Sequence, residues 1–250
     1  MGNIDAKSMT GENTSMMISR QPLFKGASND TIGKLAAAAQ LLTLDKGEAL
    51  FMQEDPAEWF YIMLSGWVKL FRETMDGAEA VIDMSTTGEL VGETAIFEDG
   101  MHSYCAAAAE KVEVLRLPAT LLKKAVNDEQ PVALAMLSSM SRHRKRQSRE
   151  IESLTLQNAS QRIGCFLLRH CNQLEADRID LKLPYDKSLI AARLGMKSET
   201  FSRALNKLRQ ETNIEVKGSM VQIPSIDVIS TYSCSACSNE FPCSDLQTAD

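Results

Sequence analysis

Two stretches of this chain hold residue types whose spacing suits chemistry. Residues 197–207 alternate charged or hydroxyl side chains with apolar ones, and residues 234–243 bring three thiols close together. In the first stretch, Phe201, Leu205 and Leu208 recur at helical spacing. They therefore share one face of a helix and leave Lys197, Glu199, Ser202, Arg203, Asn206 and Lys207 on the other. An arginine on such a face can bond bidentately to guanine O6 and N7, and a glutamate can accept from a cytosine N4 amine. Arg203 and Glu199 are thus candidates to read base edges, with Ser198, Thr200 and Ser202 completing the DNA-binding set. Lys197 and Lys207 suit phosphates, which position a protein without reading sequence. The same spacing also fits an ordinary helical hairpin with a solvated face.

In the second stretch, Cys234, Cys237 and Cys243 stand at C-x2-C-x5-C spacing, with Tyr232 and Phe241 as the apolar residues around them. Thiolates this close can share one metal centre, and cysteine ligation is usual for iron–sulfur clusters and structural zinc. Asp245, Glu240 or a residue from elsewhere can supply a fourth ligand; sequence does not choose. Reversible thiol chemistry, or a tail with no sensing role, fits the spacing too. A thiol oxidoreductase built on Cys234 and Cys237 would need a βαβ setting that the flanking sequence lacks, which argues against an enzyme. Cys165 and Cys171 are expected to pack in a core, as free cysteines commonly do.

These groups need a scaffold. Within residues 187–209, Leu189, Ile190 and Leu194 give a first helix its apolar stripe, and Ala191 is small enough for a second helix to cross close by. Gly195 suits the tight turn, and Ser198 is expected to cap the second helix. Residues 214–223 read as a hairpin turning at Gly218 and Ser219, a wing whose Lys217 can meet a phosphate. Upstream lies a compact helix over 159–171. Before it, Ala133, Leu137, Met140, Arg144, Gln147, Ile151, Leu154 and Asn158 alternate by steps of four and three. That is a coiled-coil-like seam, with Leu137, Met140, Arg144, Ile151 and Leu154 as the candidate dimer contacts. The basic run 142–146 reads as a solvated face. Residues 43–117 form short apolar strands, notably 59–64, 67–71 and 112–117, separated by recurrent glycines. They predict a β-roll or jelly-roll.

The expected fold class is α+β. A flexible arm (1–19) precedes a β-roll sensor domain (20–128), a dimerisation helix (129–157), a winged helix-turn-helix (158–229) and a cysteine-containing tail (230–250). Residues 30–42 are expected to be helical. With 44% hydrophobic and 24% charged residues, the composition is that of a soluble globular protein. No run is long enough to span a membrane, and the first residues lack a secretory h-region. A cytoplasmic setting follows, in which six cysteines suit thiols or ligands better than disulfides. The net charge of −6 hides a polarity: residues 187–220 hold seven Lys or Arg against three Glu, while residues 231–250 hold three acids and no base.

The order of parts resembles the Crp/Fnr family of bacterial transcription regulators over about residues 20–229, most specifically at residues 64–71, 88–97 and 199–203. The last stretch has the E-x-x-S-R form of Fnr-type members, which implies half-sites resembling TTGAT. Residues 151–168 resemble the Dnr branch, whose members regulate denitrification and nitrosative stress genes. The resemblance implies a homodimer on palindromic double-stranded DNA, with recognition helices about one DNA turn apart. It also implies RNA polymerase as a partner.

The tail resembles the C-terminal cysteines of Bacillus-type Fnr proteins, which hold a [4Fe–4S] cluster with three Cys and one carboxylate. Here the spacing before the third cysteine is one residue longer. Other Fnr proteins carry cluster cysteines in the N-terminal arm, but residues 1–30 contain none. Family members that bind cyclic nucleotides use a Glu for the ribose and an Arg-Ser pair for the phosphate. Glu93 matches the first; the later stretch reads Met101, His102, Ser103, Tyr104. A buried phosphate without a cation is costly, which argues against cyclic AMP. Glu93, His102, Ser103 and Tyr104 mark the expected effector pocket. The Dnr resemblance implies haem there, with His102, Cys105 or Met101 as axial candidates, although a lone His also reads as a packing residue. Oxygen, nitric oxide and redox state are the expected inputs, and a cyclic-nucleotide-responsive regulator is the alternative.

Overall fold

The computed structural model describes residues 11–75, 77, 79–171, 178–238 and 241–243. It divides into two compact units, Met1–Arg144 and Lys145–Asp250.

The first unit opens with α1 (Gly11–Ser19), a 3-10 turn at Pro22–Phe24 and α2 (Asn29–Ala38). Eight strands follow: β1 (Gln40–Leu44), β2 (Ala49–Phe51), β3 (Trp59–Ser65), β4 (Trp67–Glu73), β5 (Glu79–Thr86), β6 (Leu90–Val91), β7 (Cys105–Ala108) and β8 (Val112–Pro118). They form two antiparallel four-stranded sheets in the orders β1-β8-β3-β6 and β2-β7-β4-β5. In β8, Val112 and Val114 enter one core cluster while Leu115 and Leu117, on the opposite face, enter another. The strand is therefore buried on both faces, and Glu113 is its exposed residue. Tyr61, Met63, Val68, Val91 and Val114 belong to one core cluster. Gly66 joins β3 to β4 at φ +78°, and a Cβ there would meet the Lys111 carbonyl at 2.6 Å, so only glycine fits.

α3 (Ala119–Asp128) and the first turns of α4 (Gln130–Leu156) close this unit. Ile18, Leu35, Phe60, Leu117, Leu122 and Val132 share a second core. Ser28 caps α2, and Glu129 holds that cap by accepting from the Ser28 amide and hydroxyl, each at 2.7 Å, and from Thr31.

Two expectations change here. Residues 11–19 are not an arm: α1 is a helix whose Ile18 is 0% exposed, and full burial of such a side chain contributes about 1.5–3 kcal/mol. Residues 1–10 lie outside the described ones. The helix expected over 30–42 ends at Ala38, because residues 40–44 pair with β8 instead.

In the second unit the rest of α4 is followed by α5 (Ala159–Arg169), β9 (Ile179–Lys182), α6 (Lys187–Arg193), α7 (Ser198–Thr212), β10 (Glu215–Lys217), β11 (Met220–Ile223) and α8 (Ile226–Cys234). The small antiparallel sheet has the order β10-β11-β9, and its β10–β11 hairpin is the wing. A reciprocal pair starts α5: the Asn158 side chain accepts from the Gln161 amide while the Gln161 side chain accepts from the Asn158 amide. Asn213, in the left-handed region at φ 55°, ends α7. Ile163, Leu167, Ile190, Phe201, Leu208, Val221 and Ile229 share the core. Helix α8 runs to Cys234 and buries Ile229, Ser230 and Ser233. The tail expected from residue 230 therefore starts inside the folded unit.

A candidate nucleic-acid interface and a four-thiol cavity

α6 and α7 form the expected helix-turn-helix. Ile190 and Ala191 are fully buried against the inward row Phe201, Ala204, Leu205 and Leu208. Gly195 makes the turn at φ +64°, and the amide of Met196 donates to the Ala191 carbonyl at 2.9 Å. The outward row is exposed: Lys197, Ser198, Glu199, Ser202, Arg203, Asn206 and Lys207 all face solvent, and Thr200 is half-buried. Ser198 does not cap α7; Lys197 is the extended N-cap residue and Ser198 the first helical one. Ser202 donates its hydroxyl to the Ser198 carbonyl at 2.9 Å, which leaves the oxygen as an acceptor.

On the wing, Lys217 is exposed and pairs with Glu215 at 3.0 Å, which holds the Glu215 carboxyl below its usual range. A surface pair of this kind is worth little and yields readily to a phosphate. One brace was not foreseen: Arg193 of α6 forms a two-pronged pair with Glu150 of α4, one contact at 3.0 Å, with both side chains largely buried. Such fork geometry fixes α6 in place. Along α4, Leu137 and Ile151 are 63% and 66% exposed, and Met140, Arg144 and Leu154 are exposed as well.

Of the residues expected in an effector pocket, His102 is packed away, while Glu93, Ser103 and Tyr104 are half-buried. His102 is 3% exposed and stacks on Phe51 with centroids 3.6 Å apart. A Cβ on Gly92 would lie 3.1 Å from its ring. Burial lowers the His102 pKa, opposed by Asp55. Burial and then Glu93 push the Tyr104 hydroxyl well up. The Ser103 carbonyl accepts from Arg72 Nε at 3.0 Å, so a cation does stand near this stretch, on β4, where sequence spacing gave no hint of it. Cys105 is buried, and its Sγ accepts from the Gln53 amide at 3.3 Å.

The thiols behave differently. Cys234, Cys237 and Cys243 line one small cavity, and Cys165 of α5 lines it with them. Cys165 was expected in the core; it instead stands beside the tail because of its neighbour Gly164. A Cβ on Gly164 would fall 1.9 Å from Ser233 Oγ, so the missing side chain lets α8 cross α5 at close range. Two glutamines then hold the end of α8. Gln157 Nε2 donates to the Ser233 carbonyl at 3.2 Å, and Gln161 Nε2 donates to Ser235 Oγ at 2.9 Å.

Beyond α8, Cys237 N–H donates to the Cys234 carbonyl at 3.0 Å, and Ser238 N–H donates to Glu152 at 2.9 Å. Arg149 and Arg169 also line the cavity. Burial, then the neighbouring thiols, push Cys234 up to about 11. Burial also raises Cys165, opposed by Arg169. Cys171 stays apart, donating to the Leu167 carbonyl at 3.3 Å. Among the described residues no three His, Cys, Asp or Glu side chains converge tightly enough to hold an ion as placed. Glu240 and Asp245, the carboxylates considered as ligands, lie outside the described residues.

Comparison with known proteins adds two domain matches: a cyclic nucleotide-binding domain over residues 41–129 and a Crp-like helix-turn-helix domain over residues 161–230. The chain is 30% identical over 182 residues to the global nitrogen regulator of Synechocystis, covering 70% of this chain and 80% of that one. It is 26% identical over 202 residues to the cyclic AMP receptor protein of Thermus thermophilus, covering 81% and 92%. A crystal structure from Ruegeria pomeroyi, described as that of a cyclic nucleotide binding protein, shares 31% identity at a TM-score of 0.61. It covers 90% of this chain and 99% of its own. No helix among the described residues is long and apolar enough to cross a membrane.

Proposed function

Because the chain belongs to the Crp/Fnr family of DNA-binding transcription regulators, we propose that it binds palindromic, TTGAT-like sites as a homodimer and takes its signal from metal or redox chemistry at the tail cysteines. The observation that carries the DNA-reading part is the exposed row of α7 set on a buried apolar row. Arg203 and Glu199 read bases. Ser202 supports specificity, Ser198 and Thr200 lie at the start of the same helix, and Lys197, Lys207 and Lys217 meet phosphates. The exposed seam Leu137, Met140, Arg144, Ile151 and Leu154 joins the two protomers, and RNA polymerase is the partner at the promoter.

The relatives' names point to different signals, nitrogen status in one and cyclic AMP in another, so the input is argued from this chain's own residues. The tail thiols fit a thiophilic centre by their chemistry: soft donors on one cavity wall, with two arginines to balance their charge. When bound there, an iron–sulfur cluster supplies a redox-responsive group. Cys234, Cys237 and Cys243 hold it, and the Gln157 and Gln161 contacts to the end of α8 position them. Zinc is the alternative occupant.

A cyclic-nucleotide reading has one observation in its favour, the presence of Glu93. Against it, the stretch 101–104 holds no arginine for the phosphate, and its His102 is spent in packing. The same packing argues against His102 as a haem ligand. Titrating labelled duplexes tests the DNA part: Arg203→Ala is expected to weaken the specific site by about 1–3 kcal/mol and to leave random DNA much less affected. Equal losses on both would remove Arg203 from base reading.

A further inference from the structure

The fourth ligand can be sought among the groups the fold brings to the tail. From the way α5 meets α8, we infer that Cys165 is a ligand to the same centre as Cys234, Cys237 and Cys243, so that the site is an all-thiolate one tying the tail to the core of the DNA-binding unit. The inference rests on the reading that the tail thiols hold a metal.

Four observations support it. The first is placement, since Cys165 lines the cavity of the three tail thiols although it lies 69 residues before the first of them. The second is construction. Gly164 removes the one side chain that would hold α8 away, and Gln157 and Gln161 fix the backbone of Tyr232–Ser235 against the start of α5. Ligands mounted on packed helices are held more precisely than ligands on loops. Here Cys165 and Cys234 are on helices, and Cys237 and Cys243 come later in the chain and line the same cavity.

The third is the donor set. Of the 3 histidines in the chain none lines the cavity, and among the described residues Glu152 is its one carboxylate, already accepting from Ser238 N–H. Four sulfurs in tetrahedral array select zinc or an iron–sulfur centre over harder ions. The fourth is charge. Four thiolates around a dipositive ion or cluster leave a net negative charge, and Arg149 and Arg169 border the cavity, Arg169 one turn after Cys165 on the same helix. A consequence follows for the reading head. Leu208 of α7 sits against Gly164, 3.4 Å from where its Cβ would be. A centre anchored at Cys165 therefore bears on the seat of the recognition helix.

The test uses the full chain purified without oxygen, then loaded separately with iron plus sulfide and with zinc alone. Metal and sulfide per protomer are measured for the unaltered protein, Cys165→Ser, Cys234→Ser and Cys171→Ser, with circular dichroism as the check on folding. Partners that only orient a ligand already cost 10–100-fold in affinity when lost, so Cys165→Ser is expected to weaken loading at least about tenfold, as Cys234→Ser does, while Cys171→Ser loads normally. Iron with matched sulfide identifies a cluster; zinc alone identifies a structural ion.

Normal loading of Cys165→Ser would overturn the inference and leave the tail reading standing. No loading of the unaltered protein by either metal would overturn both. A second measurement needs no variant: in the loaded protein Cys165 is expected to resist alkylation together with the three tail cysteines, and to react after chelation. Alkylation of Cys165 at the same rate before and after would also overturn the inference.

Discussion

The β-roll and the thiol cavity, the two places weighed for signal entry, are built in opposite ways. In the β-roll, the His102 side chain at the expected pocket is consumed by the fold. His102 stacks on Phe51 and fills the space beside Gly92, and the Ser103 carbonyl takes the Arg72 Nε. Around the thiols, the fold fixes the neighbouring backbone. Gln157, Gln161 and Gly164 hold the backbone, and the reactive side chains are left lining a cavity. A stacked side chain is held by its own packing, whereas the thiols are grouped by contacts that their neighbours make. The family fold allows an input in either unit; in this chain the site chemistry favours the second.

The comparison can be broken most directly by disabling each place in turn. Cys234→Ser is expected to abolish metal loading, read by elemental analysis, and His102→Ala to leave it unchanged. Loading that survives the first change and fails with the second would reverse the assignment. Next in size is Gly164→Ala. Its methyl group would enter the α5–α8 crossing, and overpacking of this kind costs about 1–3 kcal/mol. Denaturant unfolding should show that loss, and metal loading should fall with it. A variant as stable as the parent would mean that α8 can move aside at no cost, and the cavity would then owe nothing to Gly164.

A smaller effect separates the sensor from the reader. Glu129→Ala removes the acceptor that fixes the cap of α2 in the first unit. Loss of a cap costs about 1 kcal/mol, so the melting point should drop while the affinity of Arg203-dependent DNA binding holds. Smallest is the pH effect. Burial lowers His102 in the first unit, and burial together with Arg169 lowers His170 in the second, opposed there by the Phe166 carbonyl. Below about pH 6.5 the unfolded chain takes up protons that the folded chain refuses. Stability should therefore fall as the pH drops through that value and onward to the lowered folded pKa values. The acid loss should be shallower in His102→Gln; an identical pH profile would show that His102 is not the buried neutral group described.

The parts legible in the sequence are those whose signal is local. Phe201, Leu205 and Leu208 mark the inner face of α7 by spacing alone, and Gly195 marks the turn before it. The wing was visible in Gly218, and the strands at 59–64 and 112–117 in their apolar runs. What stayed hidden depends on distant partners. Ile18 sits in a polar stretch whose helix is justified only by the core it enters. Residues 40–42 continue a helical pattern and become strand because β8 offers hydrogen bonds. Cys165 reads as a core cysteine until Gly164 is seen against Ser233, a contact between residues far apart in the chain. Arg72 approaches Ser103 through pairing of β4 with β7, which no motif at 101–104 announces.

On the proposed reading, the signal reaching the recognition helices comes from the thiol cavity and not from a nucleotide in the β-roll. Fluorescence anisotropy on a palindrome of TTGAT-like half-sites tests it, using metal-loaded and chelated protein, each with and without cyclic AMP. Coupling between an effector site and a DNA site is typically about 5–150-fold. The account predicts a change of at least the lower size on removing the metal and none on adding the nucleotide. An affinity that ignores the metal and responds to cyclic AMP would contradict it.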